Sequence, residues 1–168
     1  MVNAVENGVD VLAHSAPQAG PFGPELVRTM RKRNVALIPT LTLFRLELER
    51  AGVSAEEARE YQSIGVHQVS EYFAAGGEIL FGTDVGFTSE FDPSEEFQLM
   101  ELAGMTPADV LASLTTAPAS RFLSESGRLE KGARADIVIY NHPPFSDISN
   151  MSHVAYTISA GRIVYSAE

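Results

Sequence analysis

The chain has no cysteine. That absence excludes disulfides, thiolate metal sites and cysteine nucleophiles together, and leaves carboxylate, imidazole and hydroxyl groups for any chemistry. Basic residues are also scarce: 12 Lys and Arg stand against 22 Asp and Glu, a net charge of −10. Such a surface repels phosphate backbones and anionic headgroups, so neither nucleic acid nor a membrane is an expected partner. No run approaches the roughly 18 apolar residues of a spanning helix. Residues 1–8 offer neither a basic n-region nor an apolar h-region, and the expected location is the cytoplasm. A G-x-G-x-x-G phosphate loop is missing too, which disfavours a freestanding α/β small-molecule binder.

What remains is enough for a fold. A chain of 168 residues can bury about 70% of its unfolded surface. Residues 2–7 read as the last turns of a helix ended by Gly8, followed by a strand that runs into His14. Pro24 then starts a helix carrying Leu26, Val27 and Met30 at helical spacing, and Arg31, Lys32 and Arg33 make its solvated, dipole-compatible end. Residues 35–38 are a short buried strand that should stop at Pro39, which has no donor for a ladder. Ser54-Ala55-Glu56-Glu57 is a capping-box pattern, and the helix after it should end at Gly76-Gly77. Residues 78–81 form the next strand, and helices should start at Asp92-Pro93-Ser94-Glu95 and at Thr106-Pro107-Ala108-Asp109, the last one divided near Pro118. Alternating strand and helix is the pattern of βα units on a parallel sheet. Beyond Gly127 the texture changes to three short strands at 135–140, 154–159 and 162–165, the last two a hairpin about Ala160-Gly161.

Two strand ends carry chemistry-bearing side chains. Val9 to Ser15 places the imidazole of His14 after an apolar strand and before a Pro/Gly-rich loop, and Glu78 to Gly86 places the carboxylate of Asp84 between two glycines. Taken alone, a histidine in that position is more often a hydrogen-bonded rim residue than a ligand, and Gly82-Thr83-Asp84-Val85-Gly86 is more often a turn. Asp136 is expected to cap or hold a loop. The remaining histidines, His67, His142 and His153, fall on a helix face and in the late loop and strand region.

The segments 3–14, Ile38-Pro39-Thr40-Leu41, Phe81-Gly82-Thr83-Asp84, Thr116-Ala117-Pro118-Ala119 and 127–138, in that order and spacing, resemble the C-terminal part of the metal-dependent amidohydrolase superfamily, in its imidazolonepropionase-like and prolidase-like branch. The resemblance implies strands six to eight of a (β/α)₈ TIM barrel over residues 1–126, and a C-terminal β segment of a composite sandwich over residues 127–168. It implies His14 as the metal ligand after strand six and Asp84 as the catalytic, metal-binding aspartate after strand eight. Thr83 would hydrogen-bond behind them, and Thr40, Phe87 and Thr88 would contact substrate. The implied cofactor is a divalent ion, zinc foremost, one or two per complete enzyme. Such an ion lowers the pKa of bound water to about 7. Asp84 would take a proton from the attacking water and pass it to the leaving nitrogen of a cyclic amide, dipeptide or small ureide.

The family's H-x-H pair on strand one, its strand-four lysine or glutamate and its strand-five histidine have no counterpart in the sequence, and residues 85–105 contain no histidine. Catalytic zinc has three protein ligands as a rule. The expectation is therefore a C-terminal piece, inactive alone, whose partner is the N-terminal barrel half; a homo-oligomer is left open. The competing reading is a non-catalytic remnant or interaction module that keeps the family's tail.

Overall fold

The computed structural model describes residues 1–167. Helix α1 (Val2–Glu6) leads through Gly8, at φ +86°, into strand β1 (Val11–Ala13). A 3₁₀ turn at Pro17–Ala19 follows, then α2 (Gly23–Lys32) with Pro24 in its first turn and Arg31 and Lys32 in its last. Strand β2 (Ala36–Ile38) precedes α3 (Leu41–Arg50) and α4 (Ala55–Ala74). Strand β3 (Glu78–Ile79) precedes α5 (Ser94–Leu102), α6 (Pro107–Leu114) and α7 (Thr116–Arg121).

The first three strands form a parallel sheet in the order β1-β2-β3, with Ala13 opposite Ile38 and Leu37 opposite Ile79. Their C-terminal ends therefore lie along one rim. The α/β class is as expected. The strands are shorter than the apolar runs that contain them, because Val9, Asp10, Val35 and Phe81 lie outside the ladder. Val35, Leu37, Met30, Val69, Met100 and Val110 are fully buried between the sheet and its helices, and the Tyr72 hydroxyl, on α4, donates to the Val35 carbonyl. Two of the three expected caps form; at the start of α5 the N-cap is Pro93, without a side-chain cap, and Asp92 Oδ1 accepts from Ser94 N–H at 2.9 Å instead, while the last helix divides at Thr115 rather than at Pro118. Ser54 Oγ accepts from Glu57 N–H at 3.3 Å, and Thr106 and Asp109 make a reciprocal capping box.

Helix α3 was not legible. It starts directly after Thr40, which makes no side-chain cap, so no local start signal exists. Its cap comes from elsewhere: Glu96, on α5, accepts from Leu41 N–H at 2.7 Å, Thr42 N–H at 2.9 Å and Thr42 Oγ1 at 2.9 Å.

At the opposite end of the sheet Arg121 ties the three strands together. Its guanidinium bonds the Glu78 carboxylate, the Asp10 carbonyl at 3.2 Å and the Asn34 carbonyl at 2.8 Å. One planar fork thus holds the N-terminal approaches to β1, β2 and β3 in register.

A second, antiparallel sheet follows, in the order β4 (Ile137–Tyr140), β5 (Val154–Ser159) and β6 (Arg162–Ser166). Its hairpin turns at Ala160 (φ +48°) and Gly161 (φ +78°). Asp136 holds that turn by accepting from Ala160 N–H at 2.8 Å, the main reason its carboxyl lies below the usual range. A 3₁₀ segment at Ile148–Ser152 buries Ile148 and Met151 in the main core, and Ser94 Oγ donates to Ser152 Oγ at 2.7 Å. Among the described residues no helix is long and apolar enough to cross a membrane.

Candidate functional site

The rim is marked first by its backbone. His14, Thr40 and Asp84 stand beyond the C-terminal ends of β1, β2 and β3, and all three have positive φ: 70°, 47° and 60°. A left-handed non-glycine residue costs roughly 1–3 kcal/mol, and for a β-branched threonine it is a true outlier. Strain of this kind persists only where surrounding bonds enforce it, and here one strained residue follows each parallel strand.

His14 is enforced from both sides. Its N–H donates to the Ile38 carbonyl at 2.7 Å and the Ser15 N–H to Pro39 at 2.8 Å, so the chain follows β2 past the end of β1. The next loop is clamped by Gln68, fully buried on α4, which accepts from Ala16 N–H and donates to the Ala16 carbonyl, both at 2.8 Å, and also donates to Gly20. The His14 ring is half-buried and its Nδ1 lies 2.8 Å from Thr40 Oγ1. Thr40 is buried, and its hydroxyl also meets the Pro39 carbonyl at 2.8 Å.

Asp84 turns a tight loop. Its carbonyl accepts from Phe87 N–H at 3.1 Å and Thr88 N–H at 3.3 Å, while Thr83 Oγ1 accepts from Val85 N–H at 3.3 Å. Among the described residues no hydrogen bond reaches the Asp84 carboxylate, which is half-exposed and free for another partner. Gly82 explains how that loop passes so close to β2: a Cβ there would lie 2.4 Å from Ile38 Cγ2 and 3.8 Å from Thr40 Cγ2.

Of the other residues expected to matter, Phe87 is exposed on the loop after Asp84, whereas Thr88 and Thr40 are both buried. Sequence reasoning missed Glu96. It is 1% exposed, and desolvation pushes its carboxyl up to about 7 against the pull of its three hydrogen bonds. No local pattern distinguishes it from Glu95 beside it; only the fold shows which of the two is buried.

The donor set suits a divalent ion in kind but not in number. One imidazole nitrogen and one carboxylate are available, and among the described residues no group of three or more His, Asp or Glu could hold a metal. Clefts of about 270 Å³ between α1 and α2 and about 360 Å³ beside α7 include none of the rim residues. An open three-stranded sheet does not by itself enclose a volume over its rim.

Comparison with known proteins agrees with this architecture. A solved Xaa-Pro dipeptidase with bound methionine in its active site superposes with a TM-score of 0.82 at 23% identity, over 98% of this chain and 41% of that one. The ochratoxinase of A. niger gives 0.74 at 20% identity, over 97% of this chain and 38% of that one. Imidazolonepropionase of Brevibacillus brevis is 41% identical over 66 residues, which is 36% of this chain and 16% of the enzyme. The chain thus spans about two fifths of the solved structures it resembles. The model of the amidohydrolase family matches residues 4–164, nearly the full length, and the chain belongs to that family.

Proposed function

We propose that the chain is the C-terminal part of a metal-dependent amidohydrolase that hydrolyses amide or cyclic-amide C–N bonds, or those of a dipeptide, and that His14 and Asp84 are its contribution to the active site. The observation that carries this is the rim: among the described residues, a histidine held at Nδ1 with Nε2 making no bond, and a carboxylate without a hydrogen bond, each on a strained residue after a parallel strand. Residues 1–126 are then strands six to eight of a (β/α)₈ barrel, whose catalytic groups sit at the C-terminal ends of the strands. Residues 127–168 are the sandwich segment.

His14 Nε2 and the Asp84 carboxylate would hold a divalent ion, zinc foremost, which when bound supplies a water acidic enough to ionise near neutral pH. The rest is the work of the chain. Asp84 accepts the proton of the attacking water and returns it to the leaving nitrogen, a transfer for which its carboxylate has no competing hydrogen bond among the described residues. Phe87, exposed on the adjoining loop, offers an apolar surface to the substrate. Two ligands are one short of an ordinary catalytic zinc site, so the remaining ligands and barrel strands would come from an N-terminal half. The exposed apolar residues Ile163, Val164 and Tyr165 on β6 fit a sheet that takes further strands.

The test is turnover of a panel of dipeptides and cyclic amides. The zinc-loaded chain alone is expected to show no turnover. The protein extended by the sequence encoded upstream of Met1 is expected to turn over, and His14→Ala in it to lose activity and bound zinc together. Full activity in His14→Ala would discard the ligand assignment.

A further inference from the structure

Three groups form a chain of contacts at the rim: the His14 ring meets the Thr40 hydroxyl and the Thr40 hydroxyl meets the Pro39 carbonyl, each at 2.8 Å. Each gap needs a proton, because two lone pairs facing each other at that distance repel. Threonine has only one hydroxyl proton. If it points at His14 Nδ1, the Thr40 and Pro39 oxygens oppose each other with nothing between them. If it points at Pro39, the proton in the other gap must be on Nδ1. Only the second arrangement fills both gaps.

We propose that Thr40 is a positioning residue that fixes the tautomer of His14, keeping the ring proton on Nδ1 and turning the Nε2 lone pair outward as the binding atom. Its use at an ion rests on the function proposed above, whereas the tautomer itself does not. A histidine binds a cation through its unprotonated nitrogen, and which nitrogen that is depends on the bond made by the other. The usual partner in that position is a carboxylate or a carbonyl; here it is a hydroxyl, itself oriented by a carbonyl.

The backbone of Thr40 is held in place to do this. At φ +47° it would relax to extended or right-handed backbone, which would swing its Oγ1 away from His14. Glu96 opposes that relaxation. Its two carboxylate oxygens hold the N–H groups of Leu41 and Thr42, the two residues that follow, and also the Thr42 hydroxyl. On the other side the Pro39 carbonyl is fixed by Ser15 N–H at 2.8 Å. Gly82 leaves room for Ile38, two residues before Thr40 at the end of β2, which a Cβ there would meet at 2.4 Å. The device therefore runs from α5 through the start of α3 to β1, and brings Glu96, 82 residues from His14 in sequence, into the same assembly.

The experiment reads the ring directly and needs no metal. The chain contains four histidines, so a ¹⁵N-histidine-labelled, metal-free sample gives four ring systems in a long-range ¹H–¹⁵N correlation spectrum, with His14 identified by its loss in His14→Gln. At alkaline pH, His14 is expected as the Nδ1–H tautomer. Thr40→Val removes the hydroxyl at nearly constant shape and is expected to shift the ring toward the Nε2–H form that free histidine prefers. Thr40→Ser is expected to restore the native pattern. An Nε2–H tautomer in the unsubstituted chain, or an unchanged pattern in Thr40→Val, overturns the proposal. In the extended protein, zinc affinity should fall about 10- to 100-fold in Thr40→Val and recover in Thr40→Ser. The correct tautomer without any zinc binding would leave Thr40's effect on the ring standing and count against the hydrolase reading alone.

Discussion

Asp84 tests whether the rim is built for folding or for chemistry. A residue kept for stability makes bonds with its side chain, and the Asp84 carboxylate makes none among the described residues while its backbone carries left-handed strain. Asparagine tolerates left-handed backbone at least as well as aspartate does. We therefore expect Asp84→Asn to leave the unfolding free energy within about 0.5 kcal/mol of the native value, or to raise it, as surface changes away from bonded features do. Urea denaturation checks this. A loss above about 1 kcal/mol would mean that the carboxylate holds the loop, and would weaken the case for a chemical role.

At the scale of elements, α3 and α5 form a unit that depends on one buried carboxyl. Glu96 is pushed up to about 7 from an ordinary 4.5, chiefly by burial and in part by the neighbouring charge of Glu95, which is itself paired with Arg45. A raised carboxyl pKa means that the folded chain binds more protons than the unfolded chain between these two values. Stability from this group is therefore complete below about pH 4.5 and is lost as pH rises through about 7. In Glu96→Gln nothing titrates at this position, so the native chain should lose stability relative to the variant across that window, as measured by urea midpoints at successive pH values. Parallel pH profiles for the two proteins would contradict this account.

The same pair of helices shows what the sequence conveys and what it does not. The starts of α4 and α6 were legible because their caps are local: Ser54 and Glu57 are three residues apart, as are Thr106 and Asp109. The start of α3 was not, because its cap is a carboxylate 55 residues downstream of Leu41. The placement of His14 and Asp84 beyond strand ends was legible because an apolar run emptying into a glycine- or proline-rich loop is a local pattern. Thr40 could be read only as a pocket residue. Its left-handed backbone and its bond to His14 arise from the packing of α5 on α3 and of β1 on β2, which no window of sequence contains.

At the scale of the molecule, Arg121 fixes the N-terminal approaches to the parallel strands and the strained residues His14, Thr40 and Asp84 follow their C-terminal ends. This division, with structural ties at one end and available donors at the other, is how barrel enzymes separate stability from chemistry. It also accounts for the small donor set of the proposed site: three strands can supply only the donors at three strand ends. The central claim is that His14 and Asp84 share one ion, and anomalous diffraction at the zinc edge, on crystals of the upstream-extended protein, tests it most directly. The account predicts a peak about 2.0–2.2 Å from both His14 Nε2 and an Asp84 carboxylate oxygen. A peak bonded to only one of them, or to neither, would contradict it.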